Sequence, residues 1–509
     1  MSKLYLFAIG GTGSRVLSSL TMLLSTGVRA NVEKIIPMII DTDINNGDVE
    51  KCRNIIKTYN NIHESIYDGV SNEKDKGHFF RTKINPPKEL NISGTDYGTL
   101  KEMVDYDSLN AKGFEKTKSF FDLLYNNNNK DMQLEKGFLG NPNVGSVVLK
   151  NVVESKQFKE FTQDFNEEDR IFVVSSIFGG TGAAGFPLLL NVFRNEESSM
   201  NNRNYINNAI IGGVSVLPYF QVDVDKFNTG ESAINSSTFI TKTKAALSYY
   251  NKNLKQLINA MFYVGDTKSS NYENFDGGIE QKNPSNFIEL TAATSVLEFL
   301  DYEPNASTVN DLAKSAAFFE YGLENDSNTV TLTNLKKNSY IKQFIKSHYY
   351  NVYVSNFMSD ALENSKLTWR NELELPSNYE KQDFFKNIYK FTTVYYYRWL
   401  LELASDRHNR KFLPFDLSII LNQGELIKDI SGNIPANVSV DDKKLFTLIT
   451  GIPANDNSSF FSKDKIKYDK VFSELSKDII DMQLNSKERM LNTMLNKGID
   501  EIIDERFSL

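Results

Sequence analysis

Several apolar runs along the chain have the length and β-branched content of buried strands: Lys3 to Ile9, Lys34 to Ile40, Ile171 to Ile177, Asn208 to Leu217 and Met261 to Gly265. Helical spacing follows them at Arg15 to about Leu24, from Phe186 onward, at Ser232 to Leu257 and at Ser285 to Leu300. Pro37 inside the second run argues against a place at the sheet centre. From Asn46 to Lys136 the pattern loosens into polar helices and loops, which reads as an insertion, and the Asn126 to Asn129 run as a solvated loop. Beyond about Thr329 the chain turns helical, at Tyr340 to Glu363 and Phe384 to Arg407, with aromatics at core spacing such as Tyr389, Tyr395, Tyr396, Tyr397 and Trp399. Lys463 to Phe507 reads as a long amphipathic helix or hairpin for a partner.

Twice a glycine cluster separates strand from helix. Gly10-Gly11-Thr12-Gly13-Ser14 follows the first strand, and Gly179-Gly180-Thr181-Gly182-Ala183-Ala184-Gly185 follows the third. Glycines let the backbone approach a bound group, and the first N–H groups of a helix lack internal partners, so each cluster is a ready anion cradle. Pro187 fits the first turn of its helix. Arg15 is the cation adjacent to the clusters and reads as a surface residue. A third loop, Gly137 to Gly145, contains Asn141-Pro142, a turn signal, and Gly145 can aim its N–H at an anion. The second strand ends in Asp41-Thr42-Asp43, where a carboxylate can meet a ribose hydroxyl or a water on Mg2+. The first cluster does not complete G-x-G-x-x-G, because Val16 stands at the last glycine, and no Gly-Lys-Ser/Thr of a P-loop follows.

GGTGAAG at Gly179 to Gly185 resembles the glycine signature of the tubulin and FtsZ superfamily. Asp41-Thr42-Asp43, the Gly137 to Gly145 loop and Pro218-Tyr219-Phe220 fall in that family's order, and Ser285 to Leu300, with Phe-x-x-x-x-Ala-Ala, is similar to its central helix. The resemblance implies an α/β chain: a tubulin/FtsZ-like, Rossmann-type nucleotide-binding domain with a parallel sheet over 1–284, interrupted by the insertion at about 46–136. A central helix and connecting segment over 285–328 and a mainly helical C-terminal domain over 329–509 would follow. It implies that GTP or GDP, with Mg2+ brought by the nucleotide, is held by Gly10, Gly11, Thr12, Gly13, Ser14, Asp41 and Asp43. Gly140, Asn141, Asn143, Gly145, Gly179, Gly180, Thr181, Gly182 and Ala183 would complete the cradle. Phe287 would stack on the base and Glu289 would accept from guanine N1–H and the 2-amino group. The family's ribose-contacting Glu and Arg are not matched, although Asp223, Asp225 and Glu231 are available. Acids at the far end of the central helix, Asp301, Glu303 and later Asp311, are the candidates for the loop that promotes hydrolysis, without the Gly-x-x-Asn-x-Asp arrangement. The expected protein is a prokaryotic, cytoskeletal type of nucleotide binder whose nucleotide governs assembly into a filament, with modest or partner-dependent GTPase activity. Its partner is a second copy of itself or another protein docked on the helical C-terminal region. Two other classes stay open: a nucleotide-bound scaffold of a bacterial multi-protein system that never polymerises, and a dinucleotide-dependent Rossmann enzyme in which Asp41 holds a ribose.

Composition narrows this picture a little. With 509 residues and 40% hydrophobic content the chain can bury a large core in two or three domains. Its 57 Lys+Arg against 65 Asp+Glu, net charge -8, give no electrostatic case for nucleic acid. One cysteine, Cys52, supplies neither a disulfide framework nor a thiolate cage, and His63, His78, His348 and His408 lack ligand spacing, so no protein-built metal site is expected. The N-terminal apolar run is too short for a signal peptide and no window suits a spanning helix, which points to the cytoplasm.

Overall fold

The computed structural model describes the chain except residues 1, 44, 70–77, 95–97, 139, 196, 198, 223–238, 273–277, 304–315, 324–326, 333–337, 357, 416–467 and 507–509. The strands that build its centre are β1 (Lys3–Ile9), β2 (Lys34–Ile40), β3 (Lys83–Ile84), β4 (Lys88–Glu89), β5 (Arg170–Ser176), β6 (Ile210–Val216), β8 (Ala260–Val264) and β10 (Ala317–Tyr321). They pair in the order β10-β8-β6-β5-β1-β2-β3, with β4 also on β2, and every pairing is parallel. The apolar runs are continuous rather than alternating because both faces are covered, as a parallel sheet requires. Leu4 to Ile9, Ile171 to Val174 and Ile35 to Ile40, Pro37 included, are buried. Two short strands, β7 (Phe220–Val222) and β9 (Ser270–Tyr272), pair separately beside the sheet.

Pro37 sits inside β2 after all, paired in register with Leu6. On the other side of β2 the partner changes there: β3 stops at Ile84 opposite Ile35, and β4 begins opposite Met38. The residue without an N–H therefore coincides with a gap in the ladder, which removes the objection to its central place.

Helices α1 (Gly10–Ser25), α2 (Gly47–Tyr67), α3 (Pro142–Val148), α4 (Gly180–Phe193) and α5 (Phe287–Leu300) surround the sheet ends. The polar stretch from Asn46 begins with a core helix, since α2 buries Val49, Cys52, Ile55, Ile56, Tyr59 and Ile62. Two adjacent glycines in β6 let helices reach the sheet from both sides. A Cβ on Gly212 would strike the Phe299 ring of α5, and one on Gly213 would lie 2.7 Å from the Phe186 ring of α4.

The C-terminal region contains α6 (Asn338–Asn356), α7 (Tyr397–Leu403), α8 (Tyr468–Asp481) and α9 (Lys487–Arg506), and it packs on α2 chiefly through Asp383–Lys390, Phe391–Tyr396 and α9. Phe79 meets Tyr350 with ring centroids 4.3 Å apart, Phe80 meets Phe391, and Asn492 donates to the Tyr67 hydroxyl. Tyr396, Tyr397 and Trp399 are buried, as core aromatics should be. Within the stretch read as Lys463 to Phe507 the described residues form α8 and α9, which pack on each other, α9 also on α6 and α2. No helix among the described residues is long and apolar enough to cross a membrane.

Gly212→Ala is expected to lower unfolding stability by about 1–3 kcal/mol, because the added methyl must displace the Phe299 ring in a filled core. A urea midpoint equal to that of the parent chain would contradict this packing.

Candidate functional site

The glycine clusters are not turns that precede helices; they are the first turns of helices. Helix α1 starts at Gly10 and α4 at Gly180, immediately after β1 and β5, which lie side by side in the sheet. Gly10 has φ +70°, a conformation that suits glycine, and a Cβ built on it would lie 3.6 Å from the Cβ of Thr181. Two segments separated by most of a domain in sequence thus face each other across the sheet edge. Neither helix has a side-chain cap or an acidic residue in its first turn. Their unpaired N–H groups and both dipoles converge where the strand order reverses direction, the usual place for a ligand in an open α/β sheet.

A cleft runs out from this point. It is lined by Gly10, Gly11, Thr12, Asp41, Asp43, Asn46, Gly140 and Gly179 to Gly182, and beyond them by Phe220, Val222, Phe239, Tyr272, Gln281 and Asn283. Of the expected residues, Gly13, Ser14 and Ala183 turn away from it. Gly13 packs against Ala8, and Ser14 is fully buried in α1. Asn141, Asn143 and Gly145 also miss the cleft, because Pro142 starts α3 and the N–H of Gly145 is spent on the Asn141 carbonyl. Gly145 instead allows close packing against Phe138 and Ala184.

Arg15 is not a surface residue. It is 5% exposed and held between two carboxylates, Asp48 of α2 and Glu289 of α5, each at 2.5 Å. Its guanidinium also donates to Thr12 Oγ1 and to the Tyr219 hydroxyl, at 3.2 and 2.9 Å. Asp48 accepts a further bond from the main-chain N–H of Asn283, and Glu289 from the Tyr219 hydroxyl and the N–H of Asn286. Burial pushes the Asp48 carboxyl up, and Arg15 works against that. Every donor and acceptor needed to keep such a cluster inside a protein is present.

Glu289 is therefore not available to a base. It closes a capping box with Asn286 and neutralises Arg15. Phe287 is equally remote from the cleft, its ring packed against Phe412 and Tyr321. The cleft is lined instead by Phe220, which the Pro218-Tyr219-Phe220 match had marked, and by Tyr272 and Asn283, which no sequence pattern marks. Lys242 was missed as well; its ammonium reaches the Gly140 carbonyl at 2.8 Å beside the cleft. A cation in the first turn of the helix Phe239–Asn253 was the only available signal.

The remaining acids lie apart. Asp301 caps the far end of α5 and accepts from the Asn31 side chain, and Glu303 pairs with Arg170 at 3.0 Å. Neither lines the cleft. Asp311, Asp223, Asp225 and Glu231 lie outside the described residues. Among the described residues no group of side chains is arranged to hold a metal ion.

Asp41 and Asp43 form the acidic wall of the cleft. Asp41 accepts from the N–H of Asp43 and from Asn46, and Asp43 accepts from the N–H groups of Asn45 and Gly278. Desolvation, with Asp43 and Asp48 nearby, pushes the Asp41 carboxyl up to about 7, against the pull of the Asp43 N–H.

No protein-family model matches the chain, and no curated protein matches it. Solved structures align with part of it. One is CetZ from Methanosaeta thermophila strain DSM 6194, at 16% identity and TM-score 0.26, covering 61% of this chain and 57% of that one. Another is the GDP-bound monomer of CetZ1 from Haloferax volcanii, at 12% identity and TM-score 0.31, covering 62% and 65%. A third is the GTPgS-bound protofilament of CetZ2 from Haloferax volcanii, at 13% identity and TM-score 0.28, covering 62% and 64%. The chain spans less than two thirds of the length of each, and TM-scores this low add no weight to a functional reading.

Arg15→Met is expected to cost about 3–5 kcal/mol, since it strands two buried carboxylates; chemical denaturation checks this, and a loss below about 1 kcal/mol would contradict the cluster's importance. Asp41 gives a pH signature. Its folded pKa of about 7 exceeds the ordinary 3.8, so the folded state holds a proton that the unfolded chain releases between those values. Stability of the ligand-free protein should fall as pH rises through that window and level off above it. Thermal melts of Asp41→Asn should lose that component, and an unchanged pH slope would show that Asp41 is not its source.

Proposed function

We propose that this chain is a tubulin/FtsZ-type nucleotide-binding protein that holds the phosphates of GTP or GDP between the first turns of α1 and α4. The observation that carries the reading is the convergence of two uncapped, acid-free helix N-termini on one point at the carboxyl ends of adjacent parallel strands. A nucleoside triphosphate brings about four negative charges, and main-chain N–H groups and helix dipoles are what this site offers them. The Arg15 charge is already balanced by Asp48 and Glu289. Lys242, bound to the Gly140 carbonyl, is a cation beside the cleft with no carboxylate partner among the described residues. Mg2+ would arrive with the nucleotide, and Asp41 and Asp43 are the carboxylates placed to meet its water shell. The ribose and base would extend toward Phe220, Tyr272 and Asn283.

Phosphoryl transfer to water needs little from the protein besides positioning of metal and nucleophile. The cleft's own wall lacks Asp301 and Glu303, so weak turnover, or turnover that depends on an acid from a second chain, follows from the same reading. Nucleotide-governed, head-to-tail assembly is its next step, with the helices that follow residue 329 as a separate docking region.

A second reading has one observation in its favour: the strand order, with Asp41 at the end of β2, also suits a dinucleotide site. Against it, Val16 replaces the third glycine, and such a site has no use for the uncapped start of α4.

Thr181→Asp separates binding from folding. An acid in the first turn of α4 suits the helix dipole, so the melting temperature should hold. GTP affinity should fall by about a hundredfold or more, because the carboxylate faces the phosphates. Unchanged affinity in equilibrium dialysis would overturn the cradle. Light scattering on adding GTP and Mg2+ to the parent chain should rise; a flat trace would favour the scaffold that never polymerises.

A further inference from the structure

We propose that the outer edge of β10 docks a second copy of this chain, joining the two sheets through an antiparallel pair of β10 strands about a two-fold axis at Phe319. β10 ends the sheet and pairs residue for residue with β8 on its inner side. The N–H of Ala317 donates to the Asn259 carbonyl, and the Tyr321 carbonyl accepts from the N–H of Gly265. Residues 317, 319 and 321 therefore turn their main chain toward β8, and Phe318 and Glu320 turn theirs outward. Among the described residues no strand pairs with that outward side.

The two ends of the sheet are built differently. At the far end β3 has only Lys83 and Ile84, and Pro86-Pro87 follow, so a short strand, a lysine and prolines blunt that edge. β10 has five residues in unbroken register, with no proline and no cation. Phe318 and Phe319 point to opposite faces and are 53% and 41% exposed. Neither face of β10 is roofed at that point, which leaves room for a further strand.

Charge and hydrogen bonding favour a second copy in one register. Setting Glu320 opposite Glu320 brings like charges together. Setting Phe318 opposite Phe318 pushes Glu320 past the start of the other strand, against Ala316. Setting Phe318 opposite Glu320 uses every outward position of both copies, each such pair exchanging two main-chain hydrogen bonds. It also places the two Phe319 rings side by side as a cross-strand aromatic pair. The strand is thus complementary to its own reverse. An edge this short makes a reversible contact, with a dissociation constant of about 1–100 µM.

Sedimentation equilibrium of the full chain, without nucleotide and up to about 200 µM, tests the pairing apart from the phosphate cradle. The parent chain should show a monomer–dimer equilibrium. Phe318→Glu sets carboxylates opposite one another at both ends of the pair and should raise the dissociation constant by about tenfold or more. Phe318→Lys faces Glu320 of the second copy and should keep the constant within about threefold of the parent. Both changes fall at an exposed position, so melting temperatures should match the parent. A parent chain that stays monomeric throughout overturns the proposal and leaves the edge to a strand from another protein. Equal weakening by the two variants overturns it as well, since that marks an apolar contact without this register.

Discussion

One buried guanidinium joins the parts of this molecule that the cleft requires. Arg15 leaves α1 beneath the first glycine turn, meets Asp48 on α2 and Glu289 on α5, and touches Tyr219 where β6 has ended. Two carboxylates against one cation leave the cluster negative in sum, so its stability rests on hydrogen bonds from Tyr219, Asn283 and Asn286 as much as on charge. Those donors fix α5 and the segment before it against the sheet. The wall formed by Gln281 and Asn283 is therefore a consequence of how Arg15 is neutralised.

The same constraint explains why the cleft, although Arg15 lines it, presents amides rather than an uncommitted side-chain cation to a ligand. With Arg15 committed, the uncapped first turns of α1 and α4 are the positive end of the site, held close by Gly10 opposite Thr181. Asp41 and Asp43 stand beside them as a negative wall, which suits a phosphate group arriving with a divalent cation and disfavours a bare anion. The outer helices bear on this from α2, since Lys51 of α2 pairs with Glu402 of α7, which also accepts from Ser285 just before α5.

Much of the fold was legible because parallel strands buried on both faces leave continuous apolar runs, and β1, β2, β5, β6 and β8 fall where those runs predict. The glycine clusters were legible as cradles, although local sequence gave no hint that the helices begin within them: glycine's poor helix propensity hides a helix start that tertiary packing enforces. Pro37 misled for a related reason, since the gap between β3 and β4 that tolerates it is a fact about partners. Arg15 was unreadable. Its carboxylates lie 33 and 274 residues away, and a single arginine on an amphipathic helix is ordinarily solvated. Glu289 and Phe287 were placed by resemblance at a helix start that follows the cleft-lining Asn283, but their side chains turn into the core, leaving Asn283 and Tyr272 to line the cleft.

The central claim is that residues 10–12 and 180–182 close on one phosphate chain. Amide hydrogen exchange of the full chain, with and without GTP and Mg2+, addresses it segment by segment. Simultaneous slowing of exchange in both segments is the predicted result; slowing in one alone, or in neither at saturating nucleotide, would contradict it.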